Sequence, residues 1–112
     1  MKQKTLLQNN PNPLITADLS FIPLGVGTSV GTYIQKAYDA MSRVKGITLI
    51  PSGMSTSIEA SDMNAVFDVV KAGREALVSA GVQRIYMVLK IDDRYDKPHG
   101  LEYKKKRMIS KT

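Results

Sequence analysis

The chain has 112 residues and no cysteine, enough length to bury one core without staples and a composition that excludes disulfides, thiol catalysis and cysteine-ligated zinc. Its lone histidine, His99, argues against a histidine-based metal site or catalytic triad, and no metal or catalytic role is assigned to it. The formal net charge is +6, but Lys104, Lys105, Lys106, Arg107 and Lys111 crowd the last nine residues with no acid after Glu102, so the excess reads as a solvated basic tail rather than a nucleic-acid surface.

Residues 1–13, MKQKTLLQNNPNP, contain too short an apolar run for a signal peptide and read as a flexible extension ahead of one domain over 14–112. No stretch reaches the length of a membrane span, and a reducing cytoplasm fits the composition. Residues 14–22 alternate, with Ile15, Ala17, Leu19 and Phe21 on one face and Thr16, Asp18, Ser20 and Ile22 on the other; Pro23 and Gly25 are expected to end this first strand. After the loop LGVGT, apolar residues Val30, Tyr33, Ile34, Ala37, Tyr38, Met41 and Val44 recur at helical spacing, with Thr28 or Ser29 placed to cap the first turn and Gly46 to stop the last. Residues 47–50 and 54–60 read as a hairpin turning around Pro51, Ser52 and Gly53.

Asp62 is positioned to cap a second helix whose stripe is Met63, Val66, Phe67, Val70, Gly73 and Leu77, closed by Gly81. In 84–100, RIYMVLKIDDRYDKPHG, a strand with Ile85, Met87, Leu89 and Ile91 on one face runs into Lys90, Asp92, Asp93, Arg94, Asp96 and Lys97. Residues 100–109 read as a short terminal helix with a thin apolar stripe. The order β-α-β-β-α-β implies an α+β, ferredoxin-like sandwich: an antiparallel sheet of strand order 4-1-3-2, two helices on one face, and the short C-terminal helix.

That order places Asp18, Ser20, Ser55, Ser57, Glu59, Tyr86 and Lys90 on the face opposite the helices. Two readings stand side by side. The bland one is a solvated patch in which Lys90 pairs with Glu59 or Asp18; the functional one is a polar site whose carboxylates, if covered, need cationic or hydrogen-bonding partners. Thr56 falls by alternation on the core face with Ile58, either bonding its own backbone or reaching a ligand. Thr28 and Ser29 have the same double reading as caps or contacts.

The segments ADLSFIPLGVGTSVGTYI, GMSTSIEA and RIYMVLKIDDRYDKPHGLEYK resemble the small thiamine-binding proteins of ferredoxin-like fold, a family long left uncharacterised. The motifs are the IPLG turn at 22–25, the hydroxyls Thr28 and Ser29, the Met-Ser-Thr-x-Ile-Glu run at 54–59, and KIDDRYDKP at 90–98. Gly53 stands where many relatives carry proline, and Ala60 where glycine is common. The resemblance implies a cytoplasmic, non-enzymatic protein that needs no cofactor, forms homodimers or homotetramers, and binds thiamine or its hydroxymethylpyrimidine moiety unchanged. The ligand candidates are Asp18, Ser20, Thr28, Ser29, Thr56, Glu59, Tyr86 and Lys90. Asp92, Asp93, Arg94 and Asp96 are assigned to the loop and subunit contact. The alternatives are an assembly module without a vitamin ligand, and nucleic-acid binding through the basic tail; the third strand lacks the aromatics of an RNA-recognition sheet.

Overall fold

A computed structural model of the chain describes residues 14–94, 96–97 and 99–110. The elements are β1 (Ile15–Leu24), α1 (Gly31–Met41), β2 (Ile47–Pro51), β3 (Thr56–Ala60), α2 (Met63–Ser79), β4 (Arg84–Asp92) and α3 (Leu101–Ile109). The four strands form one antiparallel sheet in the order β2-β3-β1-β4, which is the expected 4-1-3-2 arrangement read from the other edge. The 1–13 extension lies outside the described residues.

The core lies between the sheet and α1 and α2. Ile15, Ala17, Leu19, Ile58 and Ala60 from the sheet meet Ala37 and Met41 of α1 and Ala65, Val66, Val69 and Leu77 of α2. Alternation along β1 and β3 sends these apolar side chains to one face, and their removal from water is the main driving force for closing the sandwich. Within the core, Phe21 approaches Gly73 closely. A Cβ on Gly73 would lie 2.6 Å from Phe21 Cζ and 3.2 Å from Met41 Cγ, so the missing side chain lets the ring reach the α2 backbone.

Both ends of α2 follow their sequence signals. Asp62 Oδ1 accepts the Ala65 N–H at 2.8 Å, filling one of the helix's open donors. At the other end Gly81 takes φ +95°, its N–H donating to the Val78 carbonyl while Val82 N–H reaches Leu77 O, both at 3.0 Å. Buried Val82 then seals the turn against the core.

Several boundaries differ from expectation. The first strand continues through Pro23 to Leu24 because β4 keeps pairing with it as far as Leu24↔Arg84, whereas β3 stops at Leu19↔Thr56. Beyond Leu19 the strand therefore has a strand neighbour on one side only, where proline is tolerated. Neither Thr28 nor Ser29 caps α1: Val30 is the N-cap, with no side-chain hydrogen bond, and both hydroxyl residues are exposed in the loop before it. Val44 falls past the end of α1. On α2 the buried stripe runs through Ala65 and Val69 rather than Phe67, which is 43% exposed. The third strand begins at Thr56, leaving Met54 and Ser55 in the turn.

The terminal helix α3 crosses one end of the face opposite α1 and α2. None of its residues is buried. Its first turn is held by Glu59, whose Oε2 accepts the Leu101 N–H at 2.5 Å, and by an ion pair between Lys104 and Asp92. A carboxylate at a helix N-terminus also meets the positive end of the helix dipole. This cover leaves Thr16 only 4% exposed although it points to the outer face, with its hydroxyl donating to Asp92 O at 3.5 Å.

Candidate functional site

Antiparallel register assembles a polar centre on the outer sheet face. Asp18 of β1 sits opposite Ser57 of β3 on one side and Lys90 of β4 on the other. Asp18 Oδ1 accepts hydrogen bonds from Ser55 Oγ at 2.8 Å and Ser57 Oγ at 3.4 Å. Two residues along β1, Ser20 Oγ donates to the Met54 carbonyl at 3.2 Å. The turn between β2 and β3 is thus tied to β1 through side chains where the strand ladder has ended.

Ser52 organises that turn from within. Its Oγ accepts the N–H groups of Met54 at 3.4 Å and Ser55 at 3.3 Å and donates to Ser55 O at 3.0 Å, while Ser52 N–H reaches the same carbonyl at 2.8 Å. Short serine side chains that bond backbone two or three residues away stabilise turns of this kind. The loop is consequently a firm wall.

Between this wall, the end of the β1–β3 ladder and α1 lies a groove of 440 Å³. Leu19, Phe21, Ala37 and Met41 make its apolar base; Ser20, Gln35, Tyr38, Ser52, Ser55 and Thr56 supply neutral polar groups. Among the described residues, none that lines it is charged. Volume and composition match a small-molecule site, largely apolar with a few hydrogen-bonding groups. A second cavity of 240 Å³ lies under α3, lined by Thr16, Asp18, Ser57, Lys90, Asp92, Leu101 and Lys104 among others. Ser55 and Asp18 join the two, since Ser55 lines the groove while bonding a carboxylate that lines the cavity.

The structure groups some of the sequence candidates and separates others. Asp18 and Ser20 stand together beside the turn, and Thr56 enters the groove from the helix side, opposite Leu19 in register. Glu59 is taken up by α3. Lys90 faces Asp18 across the ladder but forms an ion pair with neither Asp18 nor Glu59; among the described residues the ion pairs are Lys104–Asp92 and Arg94–Asp96, the latter at 3.1 Å. Exposure explains this, because a lysine ammonium in water gains little from holding one geometry. Tyr86 is exposed on β4 opposite Ile22, away from both cavities, and Thr28 and Ser29 line neither. Asp93 is exposed beyond the end of β4.

Groove residues that were not among the ligand candidates include Gln35, Tyr38, Ser52, Met54 and Ser55. Tyr38 was assigned to the helix stripe and Ser52 to turn chemistry; the signal for a groove would have been the difference in length between β1 and β3. Near α3, Lys104 lowers the pKa of Asp92 by hydrogen bond and charge. The pKa of His99, stacked on Tyr103 with ring centroids 3.7 Å apart, is lowered first by loss of water contact and then by Arg94, Lys104 and Lys97. Among the described residues no group of three or more His, Cys, Asp or Glu could hold a metal ion, and no helix is long and apolar enough to cross a membrane.

Comparison with known proteins gives a consistent result. A UPF0045 protein of Methanothermobacter thermautotrophicus is 42% identical over 92 residues, covering 81% of this chain and 92% of the relative. The crystal structure of a hypothetical protein from Methanocaldococcus jannaschii superposes with a TM-score of 0.77 at 30% identity, over 85% of this chain and 95% of that one. A Thermotoga maritima protein proposed to act in thiamine biosynthesis or salvage shares the fold, with a TM-score of 0.71 at 20% identity over 86% of this chain and 99% of that one. A family model described as "Thiamine-binding protein" matches residues 17–108, which span β1 to α3, and the chain belongs to that family.

Proposed function

We propose that the chain binds thiamine or its hydroxymethylpyrimidine moiety, without chemical change, in the groove between α1 and the β2–β3 turn. The observation that carries this reading is the groove itself: 440 Å³, apolar at its base, with neutral hydroxyl and amide groups around it. Ser55 spends its proton on Asp18, so its oxygen is left as an acceptor for an aminopyrimidine N–H. The Asp18 carboxylate behind it supplies negative charge toward a thiazolium. Membership of the thiamine-binding family supports the ligand class. Glu59 acts in this scheme on α3 rather than on the ligand.

The proposal includes self-association in a cytoplasmic setting. Ile22, Tyr86 and Val88 are exposed side by side on the part of the outer sheet face that α3 leaves bare, with Ile50 exposed on β2 across the polar centre, apolar ground suited to a second copy. Sedimentation across a concentration range measures it.

Calorimetry with thiamine, thiamine phosphates and hydroxymethylpyrimidine tests the ligand. Heat is expected, with the ligand recovered unaltered, and Ser55→Ala should weaken binding about tenfold through one lost hydrogen bond. Glu59→Ala should leave affinity nearly unchanged. The reverse pattern would move the ligand beneath α3, and no heat with any of the compounds would favour an assembly module.

A further inference from the structure

Met54 combines a fixed backbone with a free side chain. Its N–H is bonded to Ser52 Oγ and its carbonyl to Ser20 Oγ, so the main chain is held from the turn on one side and from β1 on the other. The side chain nevertheless is 88% exposed while lining the groove. A large apolar group anchored this firmly at the rim of an apolar-based groove is poorly placed for the folded monomer alone, since it stays in water. Across the groove stand Ile34 and Tyr38 of α1.

We infer that Met54 is a ligand-covering side chain, folding its thioether over one face of a flat aromatic ring whose other face lies toward α1. Methionine suits this task, because three rotatable bonds let it adapt and its polarisable sulfur makes favourable contacts with aromatic rings. The site would therefore take an aromatic heterocycle in preference to a saturated ring of the same size. The inference rests on the vitamin-binding reading and adds to it the residue that closes the site.

Full-length protein labelled with 13C at the methionine methyls tests it, titrated with hydroxymethylpyrimidine and with thiamine alongside calorimetry. The Met54 methyl signal should move upfield under the ring and saturate in step with the heat, while that of Met108, near the end of α3, stays in place. Met54→Ala should keep the urea midpoint, since the side chain is exposed, yet weaken binding about three- to tenfold, with Met54→Leu falling between. Heat accompanied by a shift of the Met41 methyl but none at Met54 would overturn the inference and leave the vitamin reading standing. Absence of both heat and methyl shifts would remove both. A Met54 signal that moves with protein concentration before any ligand is added would show a second copy on the rim and also overturn it.

Discussion

Gly73 decides how closely α2 approaches β1. Replacing it with alanine would gain about 1 kcal/mol of helix propensity, but the new methyl would lie 2.6 Å from Phe21 Cζ and force the ring out of its place. Overpacking of a tight core typically costs about 1–3 kcal/mol, so Gly73→Ala is expected to be destabilising on balance, with Gly73→Val worse, read from urea midpoints. The glycine was visible in the sequence as part of an apolar stripe, but its reason was not, because Phe21 lies 52 positions earlier and nothing local joins them. Lys90 teaches the same lesson from the other side. Its place on the same face as Asp18 follows from alternation, whereas their direct register and the choice of Lys104 to pair with Asp92 depend on how β4 and α3 land.

Among the helices, α3 is the one that buries no residue and is held mainly by polar groups. With no buried residue, it is docked by Glu59 at its first turn and by the Asp92–Lys104 pair, while the His99–Tyr103 stack steadies the segment's own entry into the helix. Asp92 and His99 both have pKa values below their ordinary 3.8 and 6.5, so the undocked segment takes up protons more readily than the docked one. Stability of the ordered segment is thus full above those ordinary values and is lost on acidification, first in the helix entry as pH falls below 6.5 for His99 and then in docking below 3.8 for Asp92. Amide exchange of residues 101–106 at about pH 7.5, 5.5 and 3 should show protection falling in that order, with core amides such as Val66 much less affected. Equal loss at Val66 would mean that α3 opens only with the whole domain. The other elements were far more legible: alternation identified the strands, and Asp62 and Gly81 marked both ends of α2 by local chemistry. The start of α1 was not, because Thr28 and Ser29 carry good capping groups but the chain reaches helical geometry only after them.

For the whole molecule, the core is complete without α3. Ending the chain at Gly100 should leave a cooperatively folded domain, lower in stability by no more than about 1–2 kcal/mol, with groove affinity for the vitamin retained. Thermal unfolding and calorimetry on the truncated protein measure both. The strand order and the split of the sheet into a core face and a polar face were legible from period and element order, since burial on one face enforces register. The groove was not, because it depends on a comparison between two elements rather than on either one. The β1–β3 ladder ends at Leu19↔Thr56 while β1 runs on to Leu24, and the turn closes over the edge that is left. The binding space is therefore set by the length of the β2–β3 hairpin before any side chain is chosen. A hairpin longer by two residues on each arm would extend the ladder alongside Ser20 and Phe21 and erase the groove with every lining residue still present. Relatives sharing these motifs need not share the site; the length of the second and third strands against the first is the feature to compare first.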